Sequence, residues 1–146
     1  MRLFVFCGSN RPIIPGMLSD VDICEDGDIS KKIDYFYSKI EAYGFLESCP
    51  YENALAQLMS KVAKGGTVKI QGIDLYQAAD NFSKGEISTE EFSSLVINGK
   101  NAGVSLHDLI EKINQSQEFK VEYAGLSGLN YILEAKEYDK SSTYEL

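Results

Sequence analysis

Nothing in the 146 residues approaches the roughly 18 consecutive apolar residues that a membrane-spanning helix requires. The apolar stretch at the start, Leu3 to Cys7, is too short for a secretory signal and runs directly into polar turn chemistry, so a cytoplasmic protein off the membrane is expected. Cysteine is scarce. Cys7, Cys24 and Cys49 are odd in number and none has CxxC spacing, which excludes a disulfide framework and argues against a zinc site. Histidine is scarcer still, with His107 alone, inside a helical pattern. Basic residues are few, 14 against 22 acidic, and the net charge of −8 speaks against an extended nucleic-acid surface, which needs a basic face. The acidic run Glu25-Asp26-Gly27-Asp28 lacks the ligand spacing of a calcium loop and reads as solvated surface, so no metal is expected.

What is present is ordinary globular material, 44% hydrophobic and 25% charged, enough for one core. Leu3 to Cys7 is a continuous apolar run, as in a parallel strand buried on both faces. Two prolines and two glycines between Gly8 and Gly16 exclude a regular helix there. Asp20 to Ile23 reads as a second strand, Cys24 to Lys32 as a loop, and the aromatic Ile33 to Tyr37 as a third strand. Ala54, Leu55, Leu58, Met59 and Val62 recur at helical spacing after Pro50, and the helix is expected to stop at Lys64-Gly65-Gly66. Glu47 reads as complementing a helix start. A strand follows from Thr67 to Gln71. Three helices come next, the first capped by Asp74, the second opening on a Ser88/Glu91 capping box and the third at Ser105. Phe119 to Tyr123 and Asn130 to Ala135, joined through Gly125 and Gly128, form a closing antiparallel hairpin. The result is one α/β domain over 1–136 with a polar tail over 137–146.

Several segments carry a resemblance. Cys7-Gly8-Ser9-Asn10-Arg11-Pro12, then Pro15-Gly16, then Val21-Asp22-Ile23 is similar to a CG…P…PG…VDI pattern. Leu46-Glu47-Ser48 with Pro50-Tyr51-Glu52-Asn53-Ala54-Leu55 resembles an LEH…PYEEAL segment. Val62-Ala63-Lys64-Gly65-Gly66-Thr67 resembles a VLKPGG turn. Phe119-Lys120-Val121 and Leu133-Glu134-Ala135-Lys136 resemble its GF.V and VEAK strands. Together they resemble a short, reduced family of class I S-adenosylmethionine-dependent methyltransferases. The resemblance implies a Rossmann-like, mostly parallel sheet with a C-terminal antiparallel hairpin. It implies S-adenosylmethionine as cofactor and a methyl acceptor that the sequence does not name.

On this resemblance, the cofactor would be bound by Cys7, Gly8, Ser9, Asp22, Ile23, Tyr37 and Ser38. The turn after the first strand would face the methionine part, and Asp22 would end the second strand and accept from the ribose diol. Tyr37 and Ser38, ending the third strand, would flank the adenine or the reacting methyl group, or be core in part. Alignment does most of the work in methyl transfer, so no triad or metal cluster is required. Several features depart from the pattern. Gly8 is the only glycine left of the first motif, Ser48 replaces a histidine, and the segment from Ile23 to Ile33 is too short for a helix–strand–helix. They keep a second reading open: a non-catalytic scaffold of the same shape that binds a protein partner or forms a homo-oligomer.

Overall fold

The computed structural model describes residues 1–6, 21–44, 46, 51–96 and 104–138. Six strands form one sheet: β1 (Arg2–Phe6), β2 (Val21–Glu25), β3 (Tyr37–Tyr43), β4 (Val62–Ile73), β5 (Phe119–Ser127) and β6 (Asn130–Glu137). Their spatial order is β2-β1-β3-β4-β6-β5. β1 pairs in parallel with β2 and β3, and β3 with β4. β6 then enters antiparallel between β4 and β5. The helices are α1 (Tyr51–Ser60), α2 (Leu75–Ser83), α3 (Thr89–Val96) and α4 (Leu106–Ser116).

The expected hairpin, capping box and helix starts are all found. Asp74 accepts from the Gln77 amide, Ser105 from Asp108 and Ser88 from Glu91. Three boundaries move. The segment after β2 is a 3-10 helix, Asp26–Lys31, rather than a loop. The third strand is Tyr37–Tyr43, so Tyr37 and Ser38 open it instead of closing it. Helix α1 stops at Ser60, and Lys64-Gly65-Gly66 lies inside β4. There it forms a bulge, where five steps along β4 match two along β3. The aromatic richness of 33–37 misled the strand assignment. Those residues cross the amino ends of the strands, with Ile33, Tyr35 and Phe36 exposed.

One face of the sheet is dry. Leu3, Val5, Ile40, Ala42, Val68, Ile70, Leu133 and Ala135 pack against Ile29 of the 3-10 helix, Ala54, Leu55 and Leu58 of α1, and Leu109 and Ile113 of α4. The other face carries Lys39, Glu41, Lys69 and Glu134, half-exposed and paired as Lys39–Glu41 at 3.3 Å and Lys69–Glu134 at 4.0 Å. From Gly66 onward β4 alternates buried and half-buried residues. A doubly wound parallel sheet has helices on both faces and nearly continuous apolar strands. Here the alternation leaves the second face of β3 and β4 half-exposed, while α1, α4 and the 3-10 helix pack on the first.

Lys61, buried in the link from α1 to β4, fixes the crossing segment. Its ammonium donates to the Lys32 carbonyl at 2.9 Å and pairs with Asp34. The amides of Phe36 and Tyr37 donate to its own carbonyl at 3.2 and 3.1 Å.

Candidate functional site

The chain order reverses direction across the sheet at β1, with β2 added on one side and β3 on the other. In open α/β sheets the crevice outside the carboxyl ends of the strands at such a reversal is where ligands bind. The carboxyl ends are set by register. Phe6 of β1 stands opposite Glu25 of β2, and Tyr43 of β3 opposite Gln71 of β4. Gly44, with φ of 69°, turns the chain out of β3 while its amide donates to the Gln71 carbonyl at 2.9 Å.

Glu25 is exposed, and its side chain has no hydrogen-bond or ion-pair partner among the described residues. It borders a hollow of about 270 Å³ with Phe6, Ile23, Cys24, Asp28 and Lys32. Phe6 and Ile23 lie on the same face as Glu25 by strand alternation. The hollow therefore combines an apolar bed with a carboxylate able to accept from a vicinal diol. Its volume is slightly below the ~300 Å³ at which small-ligand pockets usually begin. These walls suit the nucleoside end of a cofactor rather than all of one. Cys7, Gly8 and Ser9 lie outside the described residues.

Asp22, Tyr37 and Ser38 are brought together instead toward the amino ends of the strands. Asp22 is the second residue of β2, opposite Leu3, and does not end the strand. Its carboxylate accepts three hydrogen bonds from the fold. Oδ1 accepts from the Ile23 amide at 2.9 Å, and Oδ2 accepts from Lys32 Nζ at 2.9 Å and Tyr37 OH at 2.7 Å. Tyr37 reaches this carboxylate past the start of β1. Ser38 beside it donates to the Met1 carbonyl through its amide at 3.0 Å and its hydroxyl at 3.3 Å. Of the four described residues expected to bind the cofactor, Ile23 alone borders the carboxyl-end hollow. What differs is the strand boundaries. β2 runs two residues past Ile23, so the acidic residue at its end is Glu25, which sequence reasoning had placed in a loop.

Asp22 and Tyr37 perturb each other's titration. Burial alone would raise the Asp22 carboxyl, but the hydrogen bonds from Lys32 and Tyr37, the Lys32 charge and the Ile23 amide outweigh it and hold the group below its ordinary value of 3.8. Burial, then the bond to Asp22, pushes the Tyr37 phenol well above its ordinary 10.0. A depressed carboxyl stabilises the fold at pH above 3.8, and that stabilisation is lost as the pH falls through its lowered folded value. A raised phenol acts in the opposite sense: its contribution is complete below 10.0 and is lost as the pH rises beyond it. Asp22→Asn is accordingly expected to lower Tm near neutrality and to converge on the parent in strong acid. A Tm difference that stays constant across the acid range would refute the assignment.

Among the described residues, no three His, Cys, Asp or Glu side chains are grouped so as to hold a metal ion, and no helix is long and apolar enough to cross a membrane. His107 is exposed on α4, 3.5 Å from Glu111.

No family model matches the chain, and no curated protein sequence does. Solved structures do. A methyltransferase dependent on S-adenosylmethionine from Thermotoga maritima is 14% identical, covering 81% of this chain and 65% of its own, with a TM-score of 0.56. The fold is the class I methyltransferase fold. The trans-methyltransferase CalH, solved with S-adenosylhomocysteine, is 16% identical over 83% of this chain and 37% of its own, at a TM-score of 0.55. The pyocyanin biosynthetic protein PhzM is 13% identical over 94% of this chain and 50% of its own, at 0.56. Identities this low establish the likeness as one of fold. The chain spans between about a third and two thirds of the length of these three proteins. Within the class I fold, the described strands lack a neighbour beyond β2, and the main core is closed by α1, α4 and the 3-10 helix.

Proposed function

We propose that the chain binds S-adenosylmethionine at the carboxyl ends of β1 and β2 and is a methyltransferase whose acceptor docks beside the end of β3. One observation carries the reading: an exposed carboxylate, Glu25, closes β2 beside Phe6 at the point where the sheet reverses its order. Glu25 takes the role first assigned to Asp22, accepting both hydroxyls of a ribose through its two oxygens. Tyr43 and Gly44, which close β3, take the place first assigned to Tyr37 and Ser38. The turn Cys7-Gly8-Ser9 retains the position that the sequence resemblance gives it, against the methionine end. When bound, the cofactor supplies an activated methyl group. The protein's task is then to align the acceptor and exclude water, which requires no nucleophile of its own.

Calorimetric titration of the folded chain with S-adenosylmethionine and S-adenosylhomocysteine tests this. Glu25→Ala should weaken both by roughly 10- to 100-fold, the effect of losing hydrogen bonds to a charged acceptor. Asp22→Ala should lower Tm and leave affinity nearly unchanged, since that carboxylate is occupied by Lys32 and Tyr37. The reverse pattern would restore Asp22 to the site and remove Glu25.

A second reading rests on a different observation. β2 is an edge of the sheet among the described residues, and the face of β3, β4 and β6 opposite the main core carries the pairs Lys39–Glu41 and Lys69–Glu134. An unpaired sheet edge suits a scaffold that has lost its chemistry and serves a protein partner or a second copy of itself. Absence of heat with either ligand from a folded chain, with sedimentation above the monomer, would favour it.

A further inference from the structure

A second cavity is not at the carboxyl ends. It measures about 320 Å³ and lies at the opposite end of the sheet, between the ends of α1 and α4 and the start of β5. It shares no lining residue with the Glu25 hollow. Its body is apolar, formed by Leu55, Ala56, Met59 and Phe119, with the Tyr35 ring at the rim.

Tyr35 is an expensive residue to place there. It is 70% exposed, and its φ of 54° lies in the left-handed region that bulky side chains avoid. Its amide donates to the Ser60 carbonyl at 3.0 Å, which pins that conformation. The other described non-glycine residue with positive φ, Gln117 at 58°, lies between two residues of the same cavity wall, although there it makes an ordinary left-handed helix exit after α4. Strain of the Tyr35 kind concentrates where a site needs a particular side chain.

The polar lining has a sign. The Ser60 hydroxyl donates its proton to the Gln57 carbonyl at 2.7 Å and the Ser116 hydroxyl to Ile113 at 2.6 Å. Both therefore offer only lone pairs to anything in the cavity. Glu118 and Glu137 add carboxylates, and Lys112 is the one ammonium on the described lining. A volume at the small end of the ligand-pocket range admits one or two rings. We propose that this cavity, with Tyr35 at its rim and acceptors around an apolar floor, binds a small aromatic amine at a site separate from, and independent of, the cofactor reading.

The test uses the whole chain and three probes of defined chemistry. Tryptamine should bind saturably in a calorimetric titration. 3-Indolepropionate, with the same ring and opposite charge, should bind at least about tenfold more weakly. Butylamine should show no saturable binding, which controls for attraction of any cation to a chain of net charge −8. Ala56→Phe, at an exposed position of α1 bordering the cavity, should abolish tryptamine binding. Tyr35→Gly should weaken binding without lowering Tm, because glycine adopts positive φ at little cost. Glu118→Gln should weaken it less. Absence of saturable tryptamine binding would overturn the proposal. So would equal binding of acid and amine, saturable butylamine binding, retention in Ala56→Phe, or displacement by S-adenosylhomocysteine. Failure of S-adenosylmethionine to bind would leave these outcomes untouched, so the two proposals fail separately.

Discussion

Asp74→Ala should destabilise the fold by about 3–5 kcal/mol, the two charged hydrogen bonds that the carboxylate makes being worth roughly 1.5–3 kcal/mol each. Asp74 is buried where β4 ends. Oδ2 accepts from the Gln77 amide at 3.0 Å and caps α2, while Oδ1 accepts from the Leu106 amide at 2.7 Å and holds the first residue of α4. Its backbone extends the junction. The Asp74 amide donates to the Leu129 carbonyl at 2.8 Å, in the turn between β5 and β6, and the Leu75 amide to Val104 at 2.8 Å. One residue thus ties two helix starts and the hairpin to the end of a central strand. Alanine would leave two half-buried N–H groups without their acceptors in a domain whose whole stability is of order 5–15 kcal/mol. Asn has a single acceptor oxygen, so Asp74→Asn should lose roughly half as much. Urea unfolding, with m unchanged, measures both. A loss under about 1 kcal/mol for the alanine variant would mean that water replaces the carboxylate, and that the junction is not held as described.

Gly66→Ala is expected to cost about 3 kcal/mol, at the upper end of the range for forcing atoms into a packed interior. A Cβ there would sit 2.8 Å from the Ala63 carbonyl oxygen, 2.9 Å from that of Ser38 and 2.9 Å from Val62 Cγ1. Two of these three atoms are backbone and cannot rotate away. The neighbouring glycine makes an internal control. Gly65 has φ of +73° and open space around its Cβ direction, so Gly65→Ala meets only the left-handed backbone penalty, about 1–2 kcal/mol. The prediction is therefore an order as well as a magnitude. Thermal or urea unfolding should rank Gly66→Ala as the less stable of the pair. The reverse ranking would show that the bulge can open to admit a methyl group, and that the tight approach between β3 and β4 is not what retains Gly66.

These two residues show what could be read in advance. Asp74 was legible as a cap of α2, because a side-chain acceptor three residues before a helical amide is a local pattern. Its second bond, to Leu106, spans 32 residues and has no local signature. Lys64-Gly65-Gly66 was legible as a place where the chain must turn, but the turn was expected to end a helix and proved to be a bulge within a strand. Glycine reports the need for positive φ or close approach without saying which element supplies the neighbour.

The candidate site divides along the same line. Composition and pattern determined an α/β chain with a closing antiparallel hairpin, its helix caps and the apolar positions that became the core, because strand alternation, helical spacing and capping all act over a few residues. The sequence also held the signal for the open face, in the alternation of Val68-Lys69-Ile70-Gln71, where a strand covered on both sides would be apolar throughout. Only the tertiary structure decided which end of each strand faces the crevice. Asp22 and Glu25 are three residues apart in one short strand, yet one is bonded into the fold by Lys32 and Tyr37 while the other stands open beside Phe6. A strand's limits are fixed by the register of its neighbours, and register depends on residues far away in the chain. The role of an acidic residue near a strand end is therefore settled by pairing across the sheet rather than by its own sequence surroundings.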